Sequence, residues 1–337
     1  MPSKKVNIAV AGLGFMGVTH LRAYRQLRNA RLVAVCDISR QPVGGVLPAV
    51  NGNIGQSTPI PLGPSVKFYK EFDALLADKD VDIVDICTPT ALHPSHVAAA
   101  MHANKHVLCE KPLAQTAQEA RKLLKRLNGS RKFLMPAMCM RFWPGWAEMK
   151  EIVANRTYGA VLSASFRRLS AKPAWSKVGA HYGGALYDLH VHDTDFVYFL
   201  FGRPHKVFST GIVSAQNTID HVVTQYFYPG GPVVQAEGSW LLTKGFDMAF
   251  TLLCERATID FNLARGEGAL QITCRGKMKR MLSPTDTDGY NAELRYFVNC
   301  VARGERPSVV TAQDCVTALE ILRAEEKSVR TGKVVTL

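Results

Sequence analysis

The 337-residue sequence has no CxxC pair among its eight cysteines, no internal repeat and no low-complexity tract. It also lacks any uninterrupted apolar run of about 18 residues, the length a membrane-crossing helix needs. Each absence removes a class. The cysteines at 36, 87, 109, 139, 254, 274, 300 and 315 lie mostly in strand-like apolar runs, which suits small buried thiols in a reducing compartment and implies neither disulfides nor a zinc site. The opening MPSKKVNIAVAGLGFMG places two lysines before an apolar run, as a signal peptide does. That run is short, broken by glycines and followed by no clean small-residue cleavage site, so the expectation is a soluble, cytoplasmic protein with no membrane partner.

Hydrophobic residues at 47% and charged residues at 20% describe an ordinary globule, and the length exceeds a usual single core, so two domains are expected. The net charge is +13, with 18 Lys and Arg against 9 Asp and Glu in residues 1–135 and 23 against 19 in the remainder. An N-terminal surplus favours phosphate-bearing ligands. RKLLKR (121–126) and RGKMKR (275–280) are its densest runs, but no helix-turn-helix, aromatic platform or finger spacing accompanies them. They read as solvated helix and hairpin faces, and no nucleic-acid partner is implied.

What is present is clearest at the start. VNIAVA (6–11) is an apolar, β-rich run, GLGFMG supplies Gly12, Leu13, Gly14, Phe15, Met16 and Gly17, and VTHLRAYRQL carries a helical pattern. A second strand, RLVAVCD, ends in Asp37, twenty residues after Gly17. Strand, glycine turn, helix and a later acid at this distance predict a dinucleotide site. Gly12 would permit the turn, Gly14 would admit a pyrophosphate to the backbone, and Gly17 would let helix and strand pack closely. The helix N-terminus then offers free N–H groups to the phosphates. Asp37 would accept the adenosine ribose hydroxyls and favour NAD, with Ile38 beside it. Arg40 is the residue that would meet the extra phosphate of NADP, the alternative cofactor.

Strands and helices go on alternating to about residue 135, which implies a doubly wound parallel sheet with ligands at the strands' carboxyl ends. Thr88, Pro89 and Thr90 lie at one such end and Glu110, Lys111 and Pro112 at another, so these are expected at the cofactor, with His93 helping to form its pocket. Residues 41–65, rich in Gly and Pro, read as a long surface loop. The pattern then changes to runs of strands with short turns, KVFSTGIV, HVVTQYFYP, VVQAEGSWLL, DMAFTLLCE, ATIDFN and ALQITC, followed by two closing helices. The fold class expected is α/β: a Rossmann domain over 1–134 and an α+β domain with an open, mostly antiparallel sheet over 135–337.

GGALYDLHVHDTD (183–195) holds two histidines and three aspartates before FVYFLFG. Residues three, four and seven apart share a helix face, which aligns Asp188, His192 and Asp195 and leaves His190 and Asp193 at other angles. An Asp/His pair is a minimal acid–base device. A helix cap or solvated face is the bland alternative, and a metal site built from the three aligned residues is another. No further ligand supports the metal.

AGLGFMG, CTPTALH (87–93), CEKP (109–112), MRFWP (140–144), the 183–195 segment, YNAELRYFV near 290 and the closing SVRTGKVVTL resemble the glucose-fructose oxidoreductase / inositol dehydrogenase / MocA family of nicotinamide-dependent sugar and polyol oxidoreductases, nearly end to end. The resemblance implies Lys111, Asp188 and His192 as the catalytic set, a cis bond before Pro112, and homodimers or homotetramers built on the open sheet. A sugar or polyol would be gripped in an interdomain cleft, for which Arg141, Arg168, Trp175 and Tyr290 are candidate contacts. His192 would take the hydroxyl proton, Asp188 would orient it, and Lys111 would steady negative charge on the oxygen. Two alternatives stay open: a dinucleotide-binding regulator without turnover, and a glycoside hydrolase or epimerase working through transient oxidation.

Overall fold

The structure, a computed structural model, describes residues 5–50, 58–173, 183–282 and 288–337. These form two compact units, Met1–Cys139 with Gly289–Val316, and Met140–Asp288 with Thr317–Leu337. Among the described residues no helix is long and apolar enough to cross a membrane, and all eight cysteines are free thiols.

The first unit is built on six parallel strands: β1 (Val6–Ala11), β2 (Ala30–Cys36), β3 (Lys67–Tyr69), β4 (Ile83–Ile86), β5 (His106–Glu110) and β6 (Leu134–Ala137). Their order is β3-β2-β1-β4-β5-β6, the doubly wound arrangement whose strand order reverses beside β1. Central strands of such a sheet are covered on both faces, which is why they read as continuous apolar runs. Ile8, Ala9, Val10 and Ala11 are all fully buried. Helices α1 (Phe15–Tyr24), α2 (Phe72–Leu76), α3 (His93–His102) and α4 (Ala117–Arg126) connect the strands. The start of α4 is fixed by a capping box between Thr116 and Glu119. Its basic run is a solvated face, with Ala120 and Leu123 buried and Arg121, Lys122, Lys125 and Arg126 exposed. Within the 41–65 segment Val46–Leu47 pairs with Ile60–Pro61, and Leu47 and Ile60 are buried.

The second unit contains helix α5 (Met149–Ala154), helix α6 (Val191–Phe201) and an antiparallel sheet. Its strands are β7 (Val161–Ala171), β8 (Lys206–Val213), β9 (Ile219–Phe227), β10 (Val233–Cys254), β11 (Thr258–Asn262), β12 (Leu270–Cys274), β13 (Lys277–Leu282) and β14 (Val335–Thr336). The two runs VVQAEGSWLL and DMAFTLLCE are one 22-residue strand, β10. β7 lies between its halves, so that Ala164 pairs with Val234 on one side and with Leu252 on the other. One sheet face is packed: Ala164, Phe166, Arg168 and Ser170 of β7 are buried while the residues between them are not. Trp146 is the centre of that packing, with Phe196 and Phe250 edge-on at 4.9 Å each.

Two helices close the chain, α7 (Gly289–Arg303) and α8 (Ala312–Thr331). The sequence places α7 in the second domain. In the structure it belongs to the first unit, where it packs on α1 and β1, burying Leu294, Phe297 and Val298 completely.

Candidate functional site

The glycine turn leaves no room for side chains on its inner side. Gly12 has φ +90°, and a Cβ there would lie 2.5 Å from the Cys87 carbonyl oxygen; one on Gly17 would lie 1.8 Å from the Gly12 carbonyl oxygen. Gly14 differs, since its missing Cβ faces open space, the condition for a ligand to approach the backbone. No side chain caps α1, and no acid occupies its first turn, so its N–H groups and positive dipole end suit a pyrophosphate. Leu13 is buried and contributes its backbone, while Phe15 and Met16 are half-buried beside the turn.

Asp37 accepts the Leu13 N–H through Oδ2 at 2.7 Å. Its Oδ1 accepts the N–H groups of Ser39 and Arg40, each at 2.8 Å, and the Ser39 hydroxyl at 3.1 Å. Burial works to raise this carboxyl's pKa, but these donors outweigh it and hold the pKa below the usual value. Ile38 is 74% exposed next to it. The Arg40 guanidinium donates to the Pro48 carbonyl at 2.9 Å, turned to the 41–65 loop.

At the other strand ends the expectations divide. Thr88, Pro89 and Thr90 follow β4 at the sheet's carboxyl edge, with the Thr88 hydroxyl 3.1 Å from His96 Nδ1. His93, expected at the cofactor pocket, is 1% exposed, with Nδ1 2.8 Å from the Pro112 carbonyl and Nε2 2.7 Å from the Thr88 carbonyl, so its ring links the segments that follow two strand ends. Burial holds its pKa below the ordinary histidine value. Glu110 also turns inward: it is 7% exposed, with one carboxylate oxygen accepting the Lys111 N–H at 3.0 Å. Lys111 itself is half-buried at the end of β5, and the bond to Pro112 is cis.

In the second unit, the five ionisable groups of residues 188–195 separate cleanly. Asp195, three residues after His192 on α6, is buried and grips Arg141 through Nε–Oδ2 at 2.9 Å and Nη2–Oδ1 at 2.6 Å. Asp193 holds Arg168 in the same two-point fashion at 2.9 and 3.0 Å. His190 is fully buried over Gly238, where a Cβ would lie 2.7 Å from that of His190. Its Nε2 is 3.3 Å from the Tyr226 hydroxyl and 3.4 Å from Glu325. Burial pushes His190 down to about 3 and Glu325 up to about 8. Asp188 and His192 alone of the five are half-exposed.

Residues Leu186–His190 form a wide, π-type turn ahead of α6, which takes Asp188 out of the 3.6-residue repeat that His192 and Asp195 keep on α6. Arg141 and Arg168, expected at the substrate, are both buried, and each is paired with an aspartate. Tyr290 lies on α7 in the first unit, its ring 6.3 Å from that of His20. Trp175 lies outside the described residues.

Residues 6–138 match the sequence model of an oxidoreductase family with an NAD-binding Rossmann fold, and residues 146–260 match that family's C-terminal domain. The chain belongs to the Gfo/Idh/MocA oxidoreductase family. It is an NAD-binding oxidoreductase. Among its relatives in the family are a myo-inositol 2-dehydrogenase of Thermotoga maritima, 25% identical over 98% of each chain, and an inositol 2-dehydrogenase of Rubrobacter xylanophilus, 27% identical over 99% of this chain and 95% of the relative. Its fold is that of levoglucosan dehydrogenase in complex with NADH, with a TM-score of 0.80 at 21% identity over 99% of both chains.

Proposed function

We propose that the protein transfers a hydride between NAD and a secondary hydroxyl of a cyclic polyol or sugar, with Lys111, Asp188 and His192 as its acid–base set. The observation that carries this reading is the sorting of charges in residues 188–195. The fold buries Asp193, Asp195 and His190 in polar contacts and keeps Asp188 and His192, an acid and an imidazole of the kind proton transfer requires, half-exposed. The named activities of the inositol dehydrogenase relatives support the substrate class.

The glycine turn, the α1 N-terminus and Asp37 would hold NAD, which supplies the hydride acceptor. His192 takes the hydroxyl proton as the carbinol hydrogen leaves as hydride, Asp188 orients the imidazole, and the Lys111 ammonium stabilises charge developing on the oxygen. In reduction the same groups act in reverse.

A panel of myo-inositol, scyllo-inositol, free aldoses and anhydrosugars with each nicotinamide, followed by the absorbance of the reduced cofactor, tests the reading. Turnover of at least one, unaffected by a strong chelator, is expected; activity that a chelator abolishes and a divalent ion restores would overturn the metal-free mechanism. We further infer self-association through the open sheet face. Val233 and Leu253, which pair with Ser163 from either side, are 61% and 44% exposed there. Light scattering on wild type and Leu253→Arg is the test, and a monomeric wild type rejects it.

A further inference from the structure

Behind the glycine turn the first unit buries a cluster of ionisable groups that the proposed chemistry does not use. His20 on α1, Asp85 on β4 and Glu293 on α7 have no solvent exposure, and Glu110 at the end of β5 has 7%. His20 Nδ1 is 2.8 Å from Asp85 Oδ2, and its Nε2 is 3.3 Å from Glu110 Oε1. The Cys87 thiol sits 3.5 Å from both His20 Nδ1 and Asp85 Oδ1. Burial opposes a charge on His20, yet Asp85 and Cys87 overcome it and hold the imidazole pKa well above the ordinary value. For Glu110, burial is likewise outweighed by His20, and its pKa stays low. Glu293 behaves oppositely: burial, and then the charge of Glu110, push its pKa well up.

A buried acid, histidine and acid in series is a poor way to stabilise a fold, since apolar residues of the same volume usually do as well or better. What such a series provides is fixed geometry. Glu110 Oε1 lies within ion-pair distance of His20 Nε2, 3.3 Å away though not aligned as a hydrogen bond, while its Oε2 accepts the backbone N–H of Lys111. We propose that His20 is a positioning residue for Lys111, acting through Glu110, whose second oxygen anchors the Lys111 backbone at the end of β5. The inference rests on the reading of Lys111 as catalytic, and it explains why the carboxylate of CEKP faces inward. A misplacement of about 1 Å at a reacting group costs on the order of a hundredfold in rate, so a residue that never meets the substrate can still govern turnover.

The two ring nitrogens permit a test that separates positioning from packing. In His20→Gln the amide nitrogen replaces Nε2 and still reaches Glu110; in His20→Asn it replaces Nδ1 and reaches Asp85 only. Both variants should lose thermal stability. With myo-inositol, or the polyol of the panel that turns over, His20→Asn should lose about ten- to a hundredfold in kcat, with KM and the NADH dissociation constant within about threefold of wild type. His20→Gln should recover most of that kcat. Equal losses in the two, or wild-type kcat in both despite lower melting temperatures, overturn the proposal. Should His20→Asn not fold, Glu110→Gln keeps the volume and an acceptor for Lys111 while weakening the grip of His20: a tenfold loss in kcat supports the relay and an unchanged kcat rejects it. Lys111→Ala is measured alongside. If it stays active, the reading of Lys111 fails; if it is inactive while His20→Asn is not, only the relay fails.

Discussion

Asp37 Oδ2 accepts the backbone N–H of Leu13 at 2.7 Å, so the acid that ends β2 also braces the glycine turn. On the proposed reading, one residue would link cofactor choice to the shape of the glycine turn. Asp37→Ser should lower kcat/KM with NAD by about ten- to a hundredfold, the size of one or two charge-assisted hydrogen bonds. The ratio of NADP to NAD efficiency should rise. Arg40, tied to the Pro48 carbonyl, is not set to rescue NADP fully. Paired efficiencies with both cofactors check this, and an NADP preference in the wild type would show that Arg40 and its loop decide instead.

Lys111→Ala should remove a preorganised donor at the reacting oxygen, costing about 3 kcal/mol, or a hundredfold and more in kcat. NADH affinity, read by fluorescence titration, should change far less.

His192→Gln should reduce kcat by about 10²- to 10⁴-fold, the usual worth of a general base. Asp188→Asn should lose less and shift the pH–rate profile, because it alters the imidazole's orientation rather than removing it. Profiles of both variants against wild type separate the two roles.

Arg141→Met and Arg168→Met each strand a buried aspartate, Asp195 or Asp193. Breaking one side of such a pair costs about 3–5 kcal/mol, a fall on the order of 10 °C in melting temperature. Substrate KM of the folded fraction should stay near wild type. A large KM change with an unchanged melting temperature would return these arginines to the substrate site.

Glu325, pushed up to about 8 by burial, faces Tyr226, Thr194, His190 and Asp193. It keeps a proton when folded that the unfolded chain releases near 4.5. Its contribution to stability is therefore complete below that value and is lost as pH rises through about 8. His190, pushed down to about 3, has the opposite sign, with its contribution complete above 6.5 and lost as pH falls toward 3. Above pH 6.5, melting temperature should decline more steeply in wild type than in Glu325→Gln. Parallel melting curves from pH 6.5 to 9 would show that Glu325 is already ionised.

The first unit was legible because buried parallel strands declare themselves as apolar runs and because Gly12 and Gly17 face backbone that tolerates no Cβ. Partnerships across long sequence separations were not legible. Asp195 reads as a face-mate of His192 until Arg141, 54 residues away, is seen to claim it. His20 had no visible role because Asp85 lies 65 residues off and Glu293 arrives from the far end of the chain. Thr243, Lys244 and Gly245 read as a break between two strands, yet Gly245, at φ +88°, stays within β10.

The return of α7 to the first unit ties that unit's completion to the order of synthesis. Asn29 donates to Asn299 across 270 residues at 2.8 Å, and Phe297 fills a core whose strands emerge from the ribosome long before it. The nascent nucleotide-binding half must wait, with α1 uncovered on that side, until strands β7 to β13 of the second sheet have been made. A fragment ending at Cys139 should consequently expose apolar surface, bind hydrophobic dye and melt without a sharp transition, and supplying residues 289–316 in trans should restore cooperative unfolding.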